Sequence, residues 1–79
     1  MIDKLKEKLN KVCNLHAECA NKRGSSTLSV CDTYGYGWDR DLWVHRDSII
    51  RKLESMGFQI SQRYKWDILD ITITKRIEL

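Results

Sequence analysis

Residues 58–74, read as FQISQRYKWDILDITIT, decide the fold. Phe58 and Ile60 alternate with Gln59 and Ser61, and Leu69, Ile71 and Ile73 alternate with Asp70, Thr72 and Thr74. A period of two is that of strands with one buried face. The turn signal around Arg63-Tyr-Lys-Trp66 joins the two runs, so the segment reads as an antiparallel hairpin.

Immediately upstream, Gly57 closes a segment in which Ile49, Ile50, Leu53 and Met56 form one helical stripe. Projected backward on the same helix, Arg46 falls in the middle of that stripe, where the core belongs. The helix is therefore expected to start near Asp47, whose carboxylate suits an N-cap or first-turn position. Residues 42–45 fit either a short strand or a helix opening, and the angular argument favours a strand. Thr27 to Asp32 alternates with Leu28 and Val30 on one face, as a half-buried strand does. Tyr34-Gly-Tyr-Gly-Trp38 between them reads as a loop or wide hairpin, because two glycines one residue apart release the backbone.

At the N-terminus, Ile2, Leu5, Leu9, Val12, Cys13, His16, Cys19 and Ala20 lie on one helical stripe, opposite Lys4, Lys8, Lys11, Asn14 and Glu18. Lys22 and Arg23 suit the negative end of the helix dipole, and Gly24 the left-handed stop. The expectation is an α+β single compact domain over residues 1–79 with element order α-β-β-α-β-β. Two helices would pack on one face of a small, four-stranded antiparallel sheet, leaving the other face exposed or available for binding.

Composition narrows the function. The chain of 79 residues is 42% apolar and 32% charged, with no apolar run of membrane length. It opens on Met1-Ile2-Asp3-Lys4 without the apolar stretch of a secretory signal, so a cytoplasmic address is expected. In residues 1–23 Lys4, Lys6, Lys8, Lys11, Lys22 and Arg23 outnumber Asp3, Glu7 and Glu18, which places the whole net charge of +3 there. Such a face reads first as a solvated helix surface. Cys13, Cys19 and Cys31 are odd in number, and on one helix Cys13 and Cys19 stand about 9 Å apart along the axis, beyond disulfide reach.

Several chemistries are weighed and set aside. Cys13-x-x-His16-x-x-Cys19 has metal-ligand residue types, but on a helix its two thiols point about 120° apart. His16 reads instead as a hydrogen-bonded core or boundary histidine, which if buried would be neutral and bonded to a backbone carbonyl or a carboxylate. His45-Arg-Asp-Ser48 spells a kinase catalytic loop in a chain far too short for a kinase, and Gly35-x-Gly37 lacks the third glycine of a dinucleotide loop. Asp39 and Asp41, with Asp32 nearby, interleave with Arg40 and suggest local salt bridges or loop hydrogen bonds rather than a cation loop. No nucleophile stands with a base, so no enzyme, cofactor or metal is expected.

The remaining signal is aromatic. Every ring except Phe58 falls in two segments with turn signals, Tyr34, Tyr36, Trp38 and Trp43 in one and Tyr64 and Trp66 in the other. With Arg40, Arg63 and Lys65 they form the expected partner-binding set, because Tyr, Trp and Arg carry most energy at protein interfaces. The alternative is a single-stranded nucleic-acid binder that stacks bases on the same rings, although the chain beyond the first helix is neutral. An exposed sheet face or edge would also permit a homodimer.

The short chain, the absence of proline, the αββ-like layout and the Met56-Gly-Phe-x-Ile60 junction resemble small phage or mobile-element proteins, including anti-CRISPR inhibitors. That resemblance implies a non-enzymatic inhibitor docking on a host protein.

Overall fold

The computed structural model describes residues 3–32 and 39–75. Helix α1 covers Lys4–Arg23. The Asp3 carboxylate accepts from the backbone N–H groups of Leu5 and Lys6, satisfying donors that a first helical turn leaves orphaned. At the far end Gly24 takes φ 93°, a left-handed conformation, and its N–H donates to the Ala20 carbonyl at 2.7 Å.

Strand β1 (Ser25–Cys31) follows, then helices α2 (Arg40–Val44) and α3 (Arg46–Ser55), then strands β2 (Gln59–Lys65) and β3 (Ile68–Thr74). The sheet order is β1-β3-β2, with both pairings antiparallel. Across it, Leu28 stands opposite Ile71, which stands opposite Gln62; Val30, Leu69 and Tyr64 form the next row. Leu28, Val30, Leu69, Ile71 and Ile73 share one face by this register, and all are buried in a cluster with Cys13, Ala17 and Ala20 of α1 and Ile49, Ile50 and Leu53 of α3. The opposite face carries Ser25, Thr27 and Ser29 of β1, Asp70, Thr72 and Thr74 of β3, and Ser61 and Arg63 of β2.

Helix α3 ends as the glycine predicts, and the hydrogen bonds explain how. The Gly57 N–H donates to Glu54 and the Phe58 N–H to Leu53, the paired bonds of a Schellman cap, with Gly57 at φ 96°. Phe58 then packs against the core as the chain enters β2.

The α+β class and the antiparallel hairpin stand, but the order α-β-β-α-β-β does not. Among the described residues there are three strands, and the sequence runs α-β-α-α-β-β. The segment expected as a strand at 42–45 is the short helix α2 and its C-cap. Asp39 caps it, accepting from the N–H groups of Asp41 and Leu42. Backward extrapolation from α3 fails because His45, at φ −104° and ψ 21°, breaks the helix and resets its phase. Arg46 accordingly avoids the core: its guanidinium lies 4.0 Å over the Trp43 ring and donates to the Trp43 carbonyl at 2.7 Å.

Candidate functional site

The hairpin tip combines the aromatic, cationic and conformational features expected of a binding site. Lys65 pairs with Ile68, leaving Trp66 and Asp67 as a two-residue loop. Trp66 has φ 60°, the one positive φ among the described non-glycine residues. A positive φ at the first central position belongs to a type II′ turn, where glycine is the usual occupant because a Cβ there costs about 1–2 kcal/mol. The indole gains nothing from the core in return, since Trp66 is 92% exposed.

Tyr64 extends the exposed surface. It points to the core-facing side of β2, directly opposite Leu69, yet Leu69 is fully buried while Tyr64 is 62% exposed. In the next row Ile71 is fully buried and Gln62 is exposed. Helical cover therefore ends between β3 and β2, and only Ile60, near the Phe58 junction, is packed against the core from this strand.

On the other face Arg63 stands opposite Asp70 and Lys65 opposite Ile68. Asp70 accepts from the Ser29 hydroxyl at 2.6 Å, so its carboxylate is engaged on the β1 side. Among the described residues neither Arg63 nor Lys65 makes an ion pair.

The other expected site residues fall elsewhere. Arg40 is exposed at the start of α2. Trp43 is half-buried against the core beneath Arg46, which makes it part of the packing. Tyr34, Tyr36 and Trp38 lie outside the described residues. The structure thus brings Arg63, Tyr64, Lys65 and Trp66 together on the hairpin and separates them from Trp43.

Several titratable groups away from the hairpin have local partners. Asp39 and Asp41 do not pair with Arg40; Lys8 reaches them at 2.7 and 3.2 Å. The hydrogen bond from Lys8 holds the Asp39 carboxyl below its ordinary 3.8, and the same bond raises the Lys8 ammonium above 10.5. His16 is half-buried with Nδ1 2.7 Å from the Ser26 hydroxyl, and burial pushes its pKa below 6.5. Its partner is a hydroxyl rather than the carbonyl or carboxylate expected. Cys13 is fully buried, its thiol pKa raised by burial and its Sγ 3.8 Å from the Ile49 carbonyl.

A further cluster was invisible in the linear chain. Cys31, at the end of β1, Asp32 and Asp67 place their donor atoms within 4.8 Å of one another beneath the hairpin turn. A thiolate with two carboxylates is a donor set that a divalent cation accepts. Only the β1–β3 register, which sets Cys31 beside Ile68, brings Asp67 close.

Compared with known proteins, the chain matches no family model, no curated protein and no solved structure. No described helix is long and apolar enough to cross a membrane.

Proposed function

We propose that the chain is a non-enzymatic protein-binding module that docks through the tip and open side of the β2–β3 hairpin, with Trp66 as its anchor. One observation carries this reading. A bulky ring occupies a backbone conformation suited to glycine and is 92% exposed, so neither the turn nor the core accounts for a tryptophan there. Along the same hairpin, exposed Tyr64 on one side and Ile68 with the aliphatic stems of Arg63 and Lys65 on the other supply amphipathic area of the kind from which protein hot spots are built. The short, proline-free chain and the Met56-Gly-Phe-x-Ile60 junction, which resemble those of small phage and mobile-element inhibitors, favour a bacterial host protein as the partner class.

The nucleic-acid alternative has less support. The uncovered sheet face presents Ser25, Thr27, Ser29, Thr72 and Asp70 in place of stacking rings, and the excess positive charge belongs to α1 in the other layer.

The test replaces Trp66 with glycine, which removes the ring and keeps the turn. A photo-crosslinking residue at position 68, with Trp66 intact, should capture one bacterial protein, and Trp66→Gly should weaken binding to that protein about tenfold or more, with the melting temperature unchanged or raised. Equal binding by Trp66→Gly would dismiss the anchor. Tight, steeply salt-dependent binding to short single strands would favour the alternative.

A further inference from the structure

From the exposed edge of β2 we infer the chemistry of the partner: an extended segment of alternating acidic and apolar residues that adds to β2 as a fourth strand. This deepens the docking reading and rests on it. Among the described residues strand β2 is an edge of the sheet, bonded to β3 alone, so alternate residues direct backbone N–H and C=O groups outward. It pairs with β3 residue for residue from Gln59 to Lys65, without a bulge, and contains no proline. A regular edge of this kind is a template for strand addition.

The side chains specify what would pair there. Ile60, Gln62 and Tyr64 lie on the core-facing side, where the helices leave Gln62 and Tyr64 uncovered, so the incoming residues on that side are apolar. Arg63 and Lys65 lie on the other side. There is no Asp or Glu in β2; Asp70, opposite Arg63, also accepts from Ser29, and Lys65 stands opposite Ile68, so that side keeps a net positive charge toward whatever stands beside it. Incoming residues there are acidic, since opposite charges directly across a strand pair stabilise it and like charges destabilise it. Trp66, at the end of β2, closes over the segment's end.

Charge also decides between occupants. Self-pairing of β2 would place Arg63 and Lys65 of both copies in one interface, with no carboxylate from either strand. A foreign acidic segment meets no such opposition.

The experiment uses the full chain with two labelled short peptides, one alternating Glu with Val and the other alternating Lys with Val. At low salt the Glu peptide should bind about tenfold or more tightly, and hydrogen exchange should slow at amides within Gln59–Lys65. The double variant Arg63→Glu/Lys65→Glu should reverse the preference. Lys65→Glu alone, opposite Ile68 and clear of Asp70, should reduce it if the double variant folds poorly. Equal affinity for the two peptides, or protection mapping away from β2, overturns the inference. So does protection of β2 that grows with protein concentration in the absence of peptide, which identifies a second copy as the occupant. Failure of both peptides to protect β2 overturns strand addition even where Trp66→Gly abolishes capture, and the docking reading then stands alone.

Discussion

At the scale of single residues, Trp66 and His16 represent opposite choices. Trp66 accepts a strained backbone, at about 1–2 kcal/mol, for a ring that contacts solvent. Glycine at that position relieves the strain and loses about 0.5–1 kcal/mol through the greater freedom of the unfolded chain. Trp66→Gly is therefore expected to be as stable as the natural chain or up to about 1.5 kcal/mol more so, whereas Trp66→Ala keeps the strain and gains nothing. A urea titration of the two variants distinguishes them, and a clear loss of stability in Trp66→Gly would mean the ring contributes to the fold. His16 is instead tied to its own domain through Ser26. Its folded pKa lies below the ordinary 6.5, so the unfolded chain takes up the proton first as the pH falls. The contribution of the neutral ring is complete above that value and declines as the pH drops through it toward the folded pKa. His16→Gln should flatten the fall in unfolding free energy between about pH 7.5 and pH 5, and an unchanged slope would assign that fall to other groups.

At the scale of elements, what the sequence made legible depended on whether the decisive contacts were local. Helix α1 is announced by Asp3, its apolar stripe and Gly24, all within the segment itself. The β2–β3 hairpin is legible because alternation and turn lie side by side, and β1 because Leu28 and Val30 alternate with small polar residues. Helix α2 was not legible. It has five residues, too few for a periodic signal, and its stability comes from an Asp39 cap and a bridge to Lys8 in α1, remote in sequence. The bridge suggests how the element holds. Asp39→Ala removes both the cap and the Lys8 contact and is expected to cost about 1–2 kcal/mol, while Lys8→Met removes only a part-exposed ion pair and should cost under about 1 kcal/mol. Because the Asp39 carboxyl is held below 3.8, chiefly by the hydrogen bond from Lys8, its contribution is complete above that pH and fades as acid protonates it, so the gap between each variant and the natural chain should narrow as the pH falls below that value. Equal losses in both variants, measured by urea denaturation at neutral pH, would refute the cap.

At the scale of the whole molecule, strand parity puts Tyr64 on the side of the core, and the extent of the helical layer explains why it is nevertheless exposed. Alternation assigns Ile60, Gln62 and Tyr64 to the core-facing side of β2, but burial depends on where the helices end, and that boundary is set by the packing of α1 and α3 over β1 and β3. No property of residues 59–65 encodes it. A domain of 79 residues has a total stability of about 4–12 kcal/mol, so the position of that boundary determines which substitutions it survives. Ile71, fully buried on the central strand between Leu28 and Gln62, should lose about 2–5 kcal/mol on truncation to alanine, enough to populate the unfolded chain. Tyr64→Ala, one row away on the edge strand, should lose under about 1 kcal/mol because the ring leaves little buried area behind. Its consequence belongs to binding: loss of the exposed Tyr64 ring should weaken capture of the partner while the melting temperature holds. Were Tyr64→Ala to destabilise the domain as severely as Ile71→Ala, the helices would have to cover β2 as well, and the open edge on which strand addition depends would be closed.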